Sequence, residues 1–184
     1  GLFWRNLSEG LVRVLILMGY ILAVSLVKDI QRVFAYHGAE HQVIHTYEAG
    51  EELTVENARK KSPLHPRCGT SFLLFVVIIS ALVFSFLGEQ TVLMRFLSRL
   101  LLLPVIAGIS YEIIKLAGKN QSFFLWRWLS WPGLLLQRLT TRPPDDDQLE
   151  VAIMALQEVL NQEEQKEVQP FPARAEQRFT AGRI

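Results

Sequence analysis

Seventeen consecutive residues, Ser71 to Leu87 (SFLLFVVIISALVFSFL), carry no charge and are crowded with Phe, Val and Ile. Such a segment has two stable homes, a protein interior or the hydrocarbon of a membrane, because a continuous apolar surface of this size is unfavourable in water. At about 1.5 Å per helical residue it reaches the lower limit for crossing a bilayer. Two further runs accompany it. Leu11 to Val27 is interrupted by Arg13, Gly19, Tyr20 and Ser25 and ends at Lys28, Asp29 and Arg32. Leu100 to Ile114 is broken as an apolar run by Pro104 and Gly108 and carries Glu112 near its end. The pattern predicts an all-α, polytopic helical membrane protein with about three spans. The alternative is a soluble all-α bundle with the same runs as core helices.

The connections set an orientation. Residues 28 to 70 hold Lys28, Arg32, Arg59, Lys60, Lys61 and Arg67, whereas the connector Gly88 to Arg95 holds only Arg95. The excess of Lys and Arg places residues 28–70 in the cytoplasm, and Lys119, Arg127, Arg138 and Arg142 place the C-terminus on the same side. The chain begins with Gly and shows no basic n-region followed by a cleavage site, which reads as truncation and not as targeting.

Past the third run, Phe123 to Leu139 mixes Trp126, Trp128 and Trp131 with Arg127 and Arg138, the composition of a helix at headgroup level or of a hairpin packed on the bundle. Thr141 to Asp147 (TRPPDDD) reads as a linker, and Asp147 with Glu150 marks a helix start. Leu149, Ile153, Leu156 and Leu160 then recur on one helical face that must dock on something. The polar, proline-bearing stretch from Asn161 is expected to be disordered. The expected organisation is a membrane domain over 1–144 with a cytoplasmic loop at 28–70, an amphipathic helix at 145–160 and a tail at 161–184.

Composition removes other classes. With 19 basic against 18 acidic side chains, no basic excess exists to neutralise a nucleic-acid backbone. One cysteine forbids an intramolecular disulfide, so Cys68 is a buried hydrophobe, a nucleophile or a ligand. All four histidines share a short window with it, between positions 37 and 68.

Within that window His37, His41 and His45 are spaced by four, so on a helix neighbouring imidazoles share a face, as two ligands of one ion require. His37 to His41 also reads H-x-x-E-H, in which two His bind Zn²⁺ and Glu40 takes a proton from bound water. A solvated or membrane-facing row of histidines is the plainer explanation of the triplet, and Gly38 weakens the helix by about 1 kcal/mol relative to Ala. A second element, Leu64-His65-Pro66-Arg67-Cys68-Gly69-Thr70, presents His65 and Cys68 two residues apart across a turn-prone Pro and Gly. His37, His41, His65 and Cys68 together would complete four-coordination. Four protein ligands mark a closed structural site, three plus water an open catalytic one. Cys68 as a nucleophile with His65 as base is the lesser alternative. Glu48, three residues after His45, is a partner for a ligand, as is His45 itself. Glu112, close to the hydrocarbon, is either functional or paired with Lys115.

Taken in order, the blocks Tyr-His-Gly-Ala-Glu-His, Tyr-Glu-Ala-Gly-Glu-Glu-Leu-Thr, His-Pro-Arg-Cys-Gly-Thr-Ser-Phe, Gly-Ile-Ser-Tyr-Glu and Pro-Gly-Leu-Leu-Leu-Gln-Arg-Leu-Thr-Thr resemble the YqhQ-like family of bacterial membrane proteins. The resemblance runs from about Asn6 to Leu160 and implies a bacterial inner-membrane protein, a metal-dependent enzyme of unassigned reaction, with His37, Glu40, His41, His65, Cys68 and Glu112 on motif positions. The Gly-Gly-Gln-Ala-Val-Ile-Glu-Gly block of the family's N-terminal region is absent, so a preceding segment is expected. Three functions follow as expectations. The first is a zinc-dependent hydrolase at the cytoplasmic membrane face, acting on a small molecule or peptide. The second is a non-enzymatic scaffold with a structural metal, engaging a membrane or ribosomal protein partner through 123–160. The third is metal transport using Glu112.

Overall fold

The computed structural model describes residues 1–119 and 124–168. They form seven helices: α1 (Leu2–Val24), α2 (Lys28–Glu48), α3 (Val55–Arg59), α4 (Gly69–Ser85), α5 (Val92–Lys119), α6 (Phe124–Thr140) and α7 (Asp146–Val168), with no strand among the described residues. The all-α expectation holds at this level.

The apolar runs make one layer. α1 and α5, of 23 and 28 residues, are long and apolar enough to cross a membrane by length and composition, while α4, at 17 residues, is apolar but shorter. Both long helices extend beyond the runs that announce them. α1 starts nine residues before Leu11, because nothing between Leu2 and Gly10 breaks a helix. α5 continues through Pro104. A proline removes one ladder bond, at the carbonyl four residues before it, and the flanking Leu-rich turns keep the remainder. α1 lies antiparallel to α4: Asn6 Nδ2 donates to the carbonyl of Leu87 at 3.2 Å, and Ile21 packs with Leu74 at the other end. A Cβ at Gly10 would stand 2.5 Å from that of Ala81, so the two helices approach closely only because Gly10 lacks one.

The polar module is α2, α3 and α7. Ala39 and Val43 of α2, Ala58 of α3 and Leu149 and Ile153 of α7 form a buried cluster, with Leu156 packed against it. The amphipathic face expected to need a partner is therefore covered, in large part, within the chain. α7 starts at Asp146, one residue before the expected Asp147, since the backbone N–H of Asp145 donates to Gln148 Oε1 at 2.9 Å and closes half of a capping box. It also runs to Val168, so residues 161–168 are helical where disorder is expected. The rest of the tail, residues 169–184, and Phe123 lie outside the described residues.

α2 ends in a Schellman turn. Gly50, at φ 67°, follows the last turn, Glu51 N–H donates to the Thr46 carbonyl at 3.1 Å, and Gly50 N–H donates to that of Tyr47 at 3.0 Å. α6 joins the two parts. Its Gly133 lies against Ser71 of α4, where a Cβ would stand 2.5 Å from Ser71 Oγ, and its Leu136 is buried with Ile21 and Leu74. The opposite face leaves Trp128 and Trp131 exposed, so the helix is both packed on the bundle and aromatic on its outside.

Candidate metal centre

Helical spacing by four puts His37 and His41 side by side on α2, with ring centroids 4.3 Å apart. What distinguishes the pair is the other nitrogen of each ring. His37 Nδ1 donates to the Thr140 carbonyl at 2.7 Å, and His41 Nδ1 donates to the Pro63 carbonyl at 2.7 Å. A carbonyl only accepts, so both Nδ1 atoms carry the proton and both Nε2 atoms are left to act together. His37 Nε2 stands 3.2 Å from Cys68 Sγ. One ligand atom from each of His37, His41 and Cys68 lies within 4.8 Å of the others.

Gly38 makes this possible. The carbonyl of Arg142 occupies the place where a Cβ on Gly38 would stand, and Arg142 N–H donates to the Phe34 carbonyl at 2.9 Å. The α6–α7 connection can thus lie directly on α2, which delivers the Thr140 carbonyl to His37. A glycine that costs helix propensity is what lets the connection hold the histidine in its tautomer.

Cys68 is the N-cap of α4, where its sulfur accepts from the Thr70 N–H at 3.4 Å and contacts Thr70 Oγ1 at 3.1 Å. Burial pushes the thiol up, but hydrogen bonds from His37, His41 and Thr70 outweigh it and bring the thiol down to about 5. In return the bond to Cys68 raises His37 above the usual imidazole value, against its own burial. The same contact thus holds the thiol low and the imidazole high.

The remaining expected residues divide. His65 stands in a second group with His45 and Glu48. Its Nδ1 accepts from the Arg67 N–H at 3.2 Å and its Nε2 donates to Glu48 Oε2 at 3.3 Å, so both ring nitrogens have protein partners. The other oxygen of Glu48 is paired with the Arg67 guanidinium. Burial holds His65 below the usual imidazole value, opposed by Glu48. His45 Nε2 donates to the Leu64 carbonyl at 2.9 Å. The His65 ring is still a neighbour of His41, with centroids 5.7 Å apart, and it lines the same open pocket of about 420 Å³ as His37, His41, Cys68 and Glu40. Glu40 is exposed at its edge. Glu112 belongs to neither group; it pairs with Lys115 at 3.0 Å, the plainer of its two expectations.

Gln137 was not among the expected residues. Wholly buried on α6, it accepts from the His65 N–H at 2.8 Å and donates to the His65 carbonyl at 2.8 Å and to Ser71 Oγ at 2.7 Å. It clamps the His65–Cys68 turn to the bundle. A polar residue in the leucine row of α6 was the one signal that pointed to it.

Fold and site together define an all-helical protein with long apolar helices and, at one end of them, two tautomer-locked imidazoles facing an ionisable thiol. The chain belongs to the DUF1385 family, proteins of unknown function, whose family model matches residues 1–162. It is 42% identical over 165 residues to the uncharacterized protein YqhQ of Bacillus subtilis (strain 168), covering 90% of this chain and 52% of that protein. The chain thus spans about half the length of this curated relative. No solved structure matches it.

Proposed function

We propose that the chain is a membrane protein whose polar end holds a divalent cation through His37, His41 and Cys68. The observation that carries this reading is the shared tautomer: two carbonyls fix Nδ1–H on both rings and leave both Nε2 atoms to ligate, that of His37 at 3.2 Å from Cys68 Sγ and one ligand atom of each of the three residues within 4.8 Å of the others. Metal-ligating histidines are oriented in this way by their outer partners. Two imidazoles and a thiolate are a donor set that suits Zn²⁺, and three protein donors leave a position open for catalysis. Bound there, the ion would supply Lewis acidity and a water of lowered pKa. Glu40, at the edge of the same pocket, would take the proton in hydrolysis, a role its position on the lining supports.

The membrane assignment rests on exposure as well as length. Only 11% of the apolar window of α1 and 6% of that of α5 is buried, whereas core helices of a soluble bundle would be mostly covered. With the Lys and Arg of residues 28–70 on the cytoplasmic side, the site faces the cytoplasm of a bacterial inner membrane.

The test is element analysis with chelator competition on the full chain. One equivalent of metal is expected, lost in His37→Ala, His41→Ala and Cys68→Ala and kept in His65→Ala. Full occupancy in the first three variants refutes the site, and loss in His65→Ala restores a four-ligand arrangement. Glu40→Gln separates hydrolase from scaffold: retained metal with lost function supports catalysis, and retained metal with retained function supports a structural ion. A second reading is favoured by the 3.2 Å contact of His37 Nε2 with Sγ: a thiolate nucleophile paired with an imidazolium. Metal-free protein that is active and is inactivated by stoichiometric alkylation of Cys68 would select it.

A further inference from the structure

At the opposite end of the helix layer from the His/Cys cluster, four arginines converge on one small cavity. Arg5 and Arg13 reach it from α1, and Arg95 and Arg99 from α5; the cavity is about 40 Å³, room for about three waters at roughly 10–15 Å³ each. Glu9 is the one acid on its wall. None of the four arginines makes an ion pair among the described residues, Glu9 included.

Arg99 is the most telling of them. Its Nε is buried and has no hydrogen-bond partner among the described residues. Its guanidinium lies over the Phe84 ring, 5.3 Å from the centroid. A buried charged N–H left unpaired is costly, and one facing further cations is more so. The surroundings are rigid enough to make this a built cavity. Asn6 ties the first turns of α1 to the end of α4, Gly10 seats α1 on Ala81, and Ser98 Oγ donates to Gln90 Oε1 at 3.0 Å across the α4–α5 connection. Arg13 stands mid-helix in α1 and Arg99 in the second turn of α5, positions where an ionisable side chain on an apolar helix marks a binding function.

We infer that Arg13, Arg95 and Arg99 form a binding site for a phosphate group, in which their guanidinium forks neutralise a tetrahedral oxyanion between α1, α4 and α5. A fork of N–H donors matches two phosphate oxygens at once, and three forks around one cavity, with Glu9 beside them, supply positive charge enough to offset that of a phosphate monoester or diester. The same chemistry is offered by the headgroup of an anionic phospholipid and by free phosphate. The site is independent of the metal reading, since it shares no residue with the His/Cys cluster.

The experiment uses the full chain in detergent with inorganic phosphate, and in nanodiscs of phosphatidylglycerol or of phosphatidylcholine, with thermal unfolding and bound phosphorus as readouts. Saturable binding of inorganic phosphate identifies a free anion. Retention of phosphatidylglycerol through delipidation, with no response to inorganic phosphate, identifies a lipid headgroup. In either case Arg99→Gln, Arg13→Gln and Arg95→Gln are each expected to weaken binding roughly tenfold or more. Should Arg99→Gln not fold, Arg13→Gln and Arg95→Gln carry the test, as both side chains are exposed at the cavity mouth. Arg59→Gln, at the other end of the molecule and paired with Asp146, is expected to bind as the parent does. The proposal falls if neither probe binds, if the three variants bind as tightly as the parent, or if Arg59→Gln weakens binding equally and the effect is one of net charge.

Discussion

Gly38→Ala sets local propensity against tertiary packing, and the two predict opposite signs. In a free helix the change stabilises by about 1 kcal/mol. Here the added Cβ would clash with the Arg142 carbonyl oxygen, a backbone atom that cannot rotate aside. The connection after α6 must lift away from α2. Two hydrogen bonds go with it, Arg142 N–H to the Phe34 carbonyl and His37 Nδ1–H to the Thr140 carbonyl. At roughly 0.5–1.5 kcal/mol each, their loss alone offsets the propensity gain or exceeds it. The displaced backbone adds strain, so a net destabilisation of about 1–3 kcal/mol is expected. The effect on the site is more specific. Without Thr140, His37 is free to flip or change tautomer, and loss of such an outer partner lowers metal affinity about 10- to 100-fold. Thermal unfolding of the metal-free protein and chelator competition of the loaded one measure the two effects separately. A variant as stable as the parent or more so, with unchanged metal affinity, would show that the 140–142 segment does not hold the site.

Three further outcomes are expected. Gln137→Leu removes the clamp on His65 and leaves a buried N–H and carbonyl without partners, a loss of roughly 2–5 kcal/mol read from denaturant midpoints; a change under about 0.5 kcal/mol would contradict the clamp. Leu149→Ala empties a wholly buried position between α7 and α2 and should cost about 2–5 kcal/mol, detaching α7 as seen by faster amide exchange along it. In metal-free protein the alkylation rate of Cys68 should stay level from pH 8 down to about 6 and fall through about 5, where the folded thiol takes up its proton. The sign for stability follows: an unfolded thiol ionises near 8.5, so the thiolate's contribution is complete above that value and is lost as pH falls towards about 5. His37→Ala should move the alkylation inflection upward, and an unmoved inflection would remove His37 as the cause.

Features that depend on neighbours in the chain were legible in the sequence, and those that depend on distant carbonyls were not. The spacing of His37 and His41 is a property of one helix, and so is the row of Leu149, Ile153 and Leu156; both appear as read. Helix ends are less legible: α1 begins at Leu2, ahead of its apolar run, and α7 continues beyond Asn161. The division of the histidines is of another kind. His65 and Cys68 are two residues apart and look equivalent as donors, yet His65 is turned by Gln137, 72 residues away, and by Glu48, while His37 is held by Thr140, 103 residues away. Which imidazole nitrogen is free is decided by those acceptors, and no spacing rule contains them. The same holds for Gly38, whose unfavourable propensity is intelligible only once the backbone of Arg142 is seen to need the space. The ligand types of this site are thus local information, and its ligand count is tertiary. The metal content of His65→Ala, set beside that of Cys68→Ala, therefore measures how far the second kind of information governs the first.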